Sequence, residues 1–310
     1  MNQQAENVDR HSVEALNQIL GRPFHVLDNG FVRVVDYMGS DAAIVQAARV
    51  SYGKGTKKVR EDRELIRYLL RHSHSSPFEM CDIKLHIRVP MDCWRQWIRH
   101  RTASVNEYST RYSIAIAEAQ TTRFDAWRLQ SQDNRQGSED FLDAETGQTF
   151  TQQEADLQNL ARSVYNQRIE TGIAREQARK DLPLSTYTEA YWKINLRNLL
   201  HFLELRMDAH AQIEIRSYAE IIGRDIVARW CPLTWEAFQD YQMGSLTFSR
   251  TEQEILKALC QNDQSGAVKA ADDAGWLKQK DGALRFHLER SEFEAKLKKM
   301  DLPVPWTDSK

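Results

Sequence analysis

The 310-residue chain has only four cysteines and seven prolines, no long apolar run, and almost no excess of either charge. Each shortage excludes something. Cys81, Cys93, Cys231 and Cys260 lie far apart, with no CxxC and no Cys/His pair at zinc spacing. Neither a disulfide framework nor a structural zinc site is expected, and the thiols read as buried or inert in a reducing cytosol. No segment approaches the ~20 consecutive apolar residues of a membrane-spanning helix, and the polar start lacks the apolar core of a signal peptide. The expectation is a cytoplasmic protein with no membrane partner. Lys and Arg number 42 against 44 Asp and Glu, a net charge of −2. That balance argues against a dedicated nucleic-acid binder, which carries a basic excess.

Missing motifs narrow the chemistry. Without G-x-G-x-x-G, no Rossmann turn holds a nucleotide. Without G-x-S-x-G, H-E-x-x-H or an EF-hand loop, the commonest hydrolase and metal sites are absent, and no metal is expected. Tyr52-Gly53-Lys54-Gly55-Thr56 looks like the end of a phosphate-binding loop, but Ala48 stands where that motif needs its first glycine. The segment reads as a flexible basic turn. His72 and His74, two apart, do not share a helical face and make a poor metal pair.

What is present reads as one catalytic body with additions at both ends. Residues 1–20 form a polar N-terminal arm and 21–245 a main domain. Within it, Asn29-Gly30 between two β-branched runs predicts a hairpin over 24–38 with a type I′ turn. Ser40 caps a short helix carrying Ile44, Val45, Ala48 and Val50. A second helix presents Leu65, Ile66, Tyr68, Leu69 and Leu70, closed by Ser76-Pro77. Strict alternation predicts a strand in which Ile83, Leu85, Ile87 and Val89 are buried while Asp82, Lys84, His86 and Arg88 are wet. Pro90 ends it, and residues 91–101 read as a helix carrying Trp94, Trp97 and Ile98. Residues 128–150 read as a polar, loop-like excursion. Helices follow from Gln153 to Thr171 and from Ile173 to Lys180, with Gly172 between. Residues 186–222 hold no proline or glycine and read as one very long helix or two joined near Asp208. Residues 246–310 are a helical C-terminal extension, with apolar positions at Ile255, Leu256, Leu259, Leu284, Phe286 and Leu288.

The chemistry concentrates in residues 94–113. Arg95, Arg99, Arg101 and Arg111 against Glu107 give a local charge of +3 in a chain whose total is −2. Arginine presents a planar fork to phosphate oxygens, and Ser104, Asn106, Ser109 and Ser113 add groups that orient a polar ligand. Trp94, Trp97, Tyr108 and Tyr112 are interleaved with them. Composition leaves two readings open, a solvated basic helix end and a site for a phosphorylated ligand.

Order and spacing go further. Arg99-His100-Arg101, seven residues and then Ser109, with Asn106-Glu107 between and Arg111-Tyr112 after, resembles the signature of the flavin-dependent thymidylate synthases, the ThyX family. Three further segments are similar to that family in the right order. They are His74-Ser75-Ser76-Pro77-Phe78-Glu79; Ala174 to Arg179 followed by Leu182-Pro183; and Asn195-Leu196-Arg197 through Leu205-Arg206 to Asp208-Ala209-His210-Ala211-Gln212. The resemblance covers most of residues 24–240.

It implies an α+β protomer with a mixed or antiparallel sheet flanked by long helices, assembled as a homotetramer with sites between subunits. It implies conversion of deoxyuridine monophosphate (dUMP) to deoxythymidine monophosphate (dTMP). Carbon would come from 5,10-methylenetetrahydrofolate, and reducing equivalents from NADPH through bound FAD. By position, Gln96, Trp97, Ile98, Arg99, Glu107, Tyr108, Ser109, Thr110, Arg111, Arg179 and Arg206 would contact dUMP. Ser76, Arg99, His100, Arg101, Glu107, Asn195, Leu196, Arg197 and His201 would contact FAD. Arg206 would be the catalytic residue, stabilising the N3-deprotonated pyrimidine so that C5 becomes nucleophilic. Position 201 is His where some members carry Asn, and Ser76 replaces a Thr, keeping the hydroxyl.

Residue types agree with this. Bidentate arginines offset the repulsion of two packed anions. Gln96 and Arg99 are three apart on the expected helix, hence neighbours on one face. Arg206 follows Asn195 by eleven residues, which returns to nearly the same helical face about 16 Å further on. The Cys231-Pro232 pair lies far from the arginines, and Ser109 has no adjacent His base. Two rivals make different predictions. A single-stranded nucleic-acid binder would be colourless and salt-sensitive, and a flavin reductase would be yellow yet form no dTMP.

Overall fold

A computed structural model describes residues 12–50, 59–131, 138–280 and 282–307. The Tyr52–Thr56 turn and most of the N-terminal arm lie outside them. The chain divides into two units, Met1–Met243 and Gly244–Lys310.

The first unit is built on a five-stranded antiparallel sheet, an α+β arrangement. In chain order, α1 (Glu14–Asn17) precedes β1 (Pro23–Val26) and β2 (Gly30–Met38), followed by α2 (Asp41–Val50), α3 (Val59–Arg71) and α4 (Ser76–Glu79). Next come β3 (Asp82–Pro90), α5 (Met91–Trp97) and β4 (Ser104–Glu107), then a small hairpin of β5 (Arg128–Gln130) and β6 (Ser138–Phe141). The 27-residue α6 (Ala144–Glu170) leads through α7 (Arg175–Ala178) to β7 (Tyr187–Asn195). The unit closes with α8 (Leu196–Arg206), α9 (Ile213–Ile221), α10 (Ala228–Trp230) and α11 (Pro232–Phe238).

The strand order is β1-β2-β3-β7-β4, so β4 is an edge strand. One face of the sheet is the core. Val32, Val34, Ile83, Leu85, Ile87, Val89, Ala190, Trp192 and Ile194 are buried there, where Trp192 meets Trp97 of α5 and Phe202 of α8. The other face is charged and mutually paired: His86 bonds Glu189 at 2.8 Å, Arg88 meets Glu118 at 2.6 Å and Lys193 meets Asp82 at 3.2 Å. The period-two pattern of β3 thus separates an apolar side from an ion-paired one.

Several local expectations change. The hairpin forms, but its turn sits one step earlier, over Leu27 to Asn29, with Leu27 at φ 57° and Gly30 already paired with Val26 in the strand. Glycine is required at position 30 for another reason: a Cβ there would overlap the Tyr218 hydroxyl and crowd the Val26 carbonyl. In α3, Ile66, Leu69 and Leu70 are buried while Tyr68 faces out and packs against His72, its ring tilted by 46°. That helix stops at Arg71, ahead of Ser73 at φ 56°, and Pro77 opens α4 instead of closing α3. The helix expected over 91–101 ends at Trp97, leaving Arg99, His100 and Arg101 beyond it. The polar excursion is shorter than expected, because α6 already starts at Ala144, capped by Asp143, whose carboxylate accepts from the Thr146 N–H at 2.9 Å. The capped start is almost wholly polar, so apolar periodicity did not mark it.

The largest correction lies at 187–195, expected to be helical and in fact strand β7 in the middle of the sheet. Buried Thr188, Ala190, Trp192 and Ile194 alternate with Glu189, Tyr191 and Lys193, a period of two that the lack of proline and glycine had masked. The break near Asp208 is real, between α8 and α9.

The second unit has its own core. It contains α12 (Arg250–Cys260), α13 (Gln264–Asp273), a short hairpin of β8 (Gln279–Lys280) and β9 (Ala283–Leu284), and α14 (Leu288–Lys299). Ile255, Ala258, Ala267, Ala271, Trp276, Phe293 and Leu297 pack together with Trp306 against them. Leu284, Phe286 and Leu288 are exposed, so the pattern noted in this tail marked its core only in part.

Candidate active site

α8 is the spine of the site. Asn195 caps it, its side-chain oxygen accepting from the Asn198 N–H at 2.9 Å, and the helix runs unbroken to Arg206. Arg197, His201 and Arg206 therefore stand in its first, second and last turns. α4 packs against α8 and brings Ser76 to this side of the unit. The Trp97 indole, wholly buried against Trp192 and Phe202, fixes the point at which the chain leaves α5. His100 follows and lies edge-on to Phe202, with ring centroids 4.9 Å apart.

There His100 Nε2 accepts a hydrogen bond of 3.1 Å from Arg206 Nε. An imidazole nitrogen accepts only when unprotonated, so the ring is neutral with its proton assigned to Nδ1. Its pKa is pushed down to about 4, first by burial, then by the charge of Arg206 and by His201. Burial also lowers the Arg206 pKa, though an arginine starts so far above neutrality that it stays charged. Arg99 and Arg101 flank the histidine on the surface, and among the described residues neither side chain has a carboxylate partner.

A second group forms around β4. Glu107 lies opposite Ala190, and its carboxylate accepts from the buried Thr188 hydroxyl at 2.9 Å. The Tyr108 N–H donates to the Glu189 carbonyl and the Tyr108 hydroxyl to the Ile114 carbonyl, both at 2.8 Å. The segment then docks on α7. Arg179 donates to the Thr110 hydroxyl, Arg111 pairs with Glu176 at 3.2 Å, and Arg175 donates to the Tyr112 carbonyl at 2.9 Å. α6 clamps it from behind. The Tyr165 hydroxyl accepts from the Ala115 N–H at 2.9 Å, and Arg162 donates to the carbonyls of Ala115 and Ala117. Ser109 receives a 3.4 Å bond from the Arg111 N–H, and among the described residues no histidine is bonded to it.

The expected residues thus gather in two places within one chain. Ser76, His100, Asn195, Arg197, His201 and Arg206 converge on α8; Glu107 to Arg111 and Arg179 converge on β4 and α7. Glu107 is level with Ala190, five residues before Asn195, a separation of about 17 Å along the strand. Gln96 stands on α5 and donates to the Gln212 side chain. The side chains of Trp97 and Leu196 are fully buried, so a ligand at either position would meet backbone. Thr188 holds Glu107 and was not singled out from sequence, and Gln212, which holds Gln96, was named there only as the end of a motif, because these roles arise from strand pairing and a loop distant in sequence. Cys231 is wholly buried, and burial together with Cys81 raises its pKa, so it is no thiolate nucleophile. Cationic side chains without acidic partners, beside amide and hydroxyl groups, suit a ligand that carries phosphate.

Comparison with known proteins gives the same picture. Residues 33–233 match the model of the family described as thymidylate synthase complementing protein. The chain is 52% identical over 258 residues to a flavin-dependent thymidylate synthase of Wolbachia pipientis wMel, covering 83% of this chain and 90% of that one. It is 53% identical over 252 residues to one from Gluconobacter oxydans (strain 621H), covering 80% and 82%. Among solved structures it resembles the UMP/dUMP methylase PolB of Streptomyces cacaoi bound with 5-Br dUMP. The TM-score is 0.63 at 33% identity, covering 71% of this chain and 98% of that one.

Proposed function

The chain belongs to the flavin-dependent thymidylate synthase family, and from that premise we propose how its own residues divide the work. The activity is synthesis of dTMP from dUMP with a flavin cofactor. In our reading the flavin is FAD, the carbon donor is 5,10-methylenetetrahydrofolate and the reductant is NADPH. The observation that carries it is the bond between Arg206 and His100, which joins the residue expected at the pyrimidine to a residue expected at the flavin.

The residues fit FAD. Arg99 and Arg101, without acidic partners among the described residues, offer the fixed cations a pyrophosphate needs, and Ser76, Asn195, Arg197 and His201 supply hydroxyl, amide and ring donors on the same side of the unit. FAD held by these residues would supply the redox chemistry between NADPH and the transferred one-carbon group. Tyr108 to Arg111 and Arg179 would hold the nucleotide, with guanidinium groups on its phosphate and Ser109 orienting it. His100 occupies Nε of Arg206 and leaves the two terminal nitrogens to face the ring. There they would stabilise the anion left when N3 loses its proton, and density moves to C5. No cysteine is called on.

Asn195 at the start of α8 and Glu107 of β4 stand about 17 Å apart along the strand, and we read the site as completed between subunits of a homotetramer. The test is direct. The purified protein should be yellow, and NADPH oxidation should accelerate when dUMP is added. A colourless preparation that takes up no FAD would overturn the assignment, and salt-sensitive oligonucleotide binding by a colourless protein would favour the nucleic-acid reading.

A further inference from the structure

The polar excursion before α6 reaches the start of α9. Arg128 of β5 donates from one terminal nitrogen to both carboxylate oxygens of Glu214, at 2.8 and 3.1 Å. The two side chains are only 22% and 16% exposed. Glu214 stands in the first turn of α9, two residues after Gln212, whose side chain helps to hold its carboxyl ionised. Gln212 in turn accepts, through its amide oxygen, from the side-chain nitrogen of Gln96 on α5. Four side chains from three elements and a connecting loop thus form one line, ending at a residue expected against dUMP.

The line has a direction. A guanidinium only donates and a carboxylate only accepts. The Gln212 oxygen accepts from Gln96, which leaves the Gln212 nitrogen as its donor on the side of the Glu214 carboxylate two residues on. The bond to Gln212 takes one N–H of Gln96 and leaves its oxygen without a partner among the described residues. The carboxyl of Glu214 is opposed by burial, but hydrogen bonds from Arg128, from its own backbone N–H and from Gln212 outweigh this and hold its pKa below the usual range. The other titratable groups near it are Asp92 and Cys93 of α5. Without Arg128, Glu214 would face Asp92 unpaired, take up a proton more readily, and then be able to donate as well as accept. The Gln212 amide would lose its single orientation, and Gln96 with it.

We propose that Arg128 is a positioning residue for the nucleotide, fixing the Gln96 amide through Glu214 and Gln212 so that its oxygen accepts a hydrogen bond from a donor group of dUMP. This rests on the reading that Gln96 meets dUMP. Neither β5 nor the excursion belongs to the motifs that carry the family resemblance, so the brace would be one this chain builds outside them.

A double-mutant cycle on the full-length, FAD-loaded protein tests it, with radiolabelled dUMP in equilibrium dialysis and steady-state kinetics in parallel. Arg128→Met should weaken dUMP binding and raise its KM about tenfold, while kcat and FAD content stay within about twofold. In a Gln96→Ala background the same substitution should change affinity by less than about twofold, because the interaction it supports is already gone. Unchanged affinity in Arg128→Met, additive effects in the double variant, or equal loss of FAD and kcat would each overturn the proposal. If Arg128→Met does not fold, Arg128→Gln, which keeps a donor without the charge, should show intermediate weakening that also vanishes in the Gln96→Ala background; wild-type affinity there counts against the brace. Failure of the wild-type protein to bind dUMP would overturn the functional reading itself, which separates the two outcomes.

Discussion

His100 and Arg206 meet through a hydrogen bond that only a neutral imidazole can accept, so the protonation state of one ring sets the geometry of the guanidinium beside it. With its folded-state pKa pushed down to about 4 from an ordinary 6.5, the unfolded chain takes up this proton first as the pH falls. The stability it contributes is present above about pH 6.5 and is lost between there and about pH 4. A histidine-labelled sample followed by NMR should show the His100 ring unprotonated down to pH 5. In Arg206→Met its titration should move upward, because burial remains but the neighbouring charge is gone. A ring that titrates near 6.5 in the wild-type protein would contradict the arrangement. At this scale much was legible in the sequence: the order of Arg99, His100, Arg101, Ser109, Arg179 and Arg206 led to residues that the fold sorts into two groups. The supports were not legible. Thr188 reaches Glu107 only because β4 pairs with β7, and Gln212 reaches Gln96 only because the loop before α9 passes α5.

At the scale of elements, sequence pattern worked where alternation decided the reading and failed where the lack of proline and glycine outweighed it. β3 was readable because its charged residues alternate without interruption with Ile83, Leu85, Ile87 and Val89. β7 was not, because Tyr187 is buried out of phase with Thr188, Ala190, Trp192 and Ile194, and the run joins α8 with no breaking residue. α6 began earlier than its periodicity suggested, since a polar cap and not an apolar stripe sets its start. The hairpin turn teaches the same point from the other side: Asn29-Gly30 marked a real hairpin, yet the glycine is needed for clearance and not for turn geometry. Gly30→Ala should destabilise the first unit by about 2–3 kcal/mol through overpacking against Tyr218 and the Val26 carbonyl. Tyr218→Phe, which removes the nearer clash along with the hydroxyl's 2.7 Å bond to the Arg88 carbonyl, should recover part of that loss in the double variant. Urea unfolding decides this, and a Gly30→Ala variant as stable as wild type would show that the strand can shift.

At the scale of the whole molecule, the reading that sites are completed between subunits makes an assembly prediction. Arg206→Ala should retain FAD but lose most dTMP formation, and Arg179→Ala should lose dUMP affinity. If a site takes Arg206 from one subunit and Arg179 from another, co-refolded mixtures of the two inactive variants should recover activity, with about a quarter of sites carrying both arginines. Mixtures no more active than their components would place both residues in one chain's site. The C-terminal unit, with its core of Trp276, Phe293 and Leu297, lies beyond residues 33–233 of the family match and plays no part in this account of catalysis. The most direct test of the whole account is product formation by the purified, FAD-loaded protein, with dTMP measured chromatographically as dUMP, 5,10-methylenetetrahydrofolate or NADPH is omitted in turn. The account predicts dTMP only when all three are present; NADPH oxidation with no dTMP from the complete mixture would contradict it.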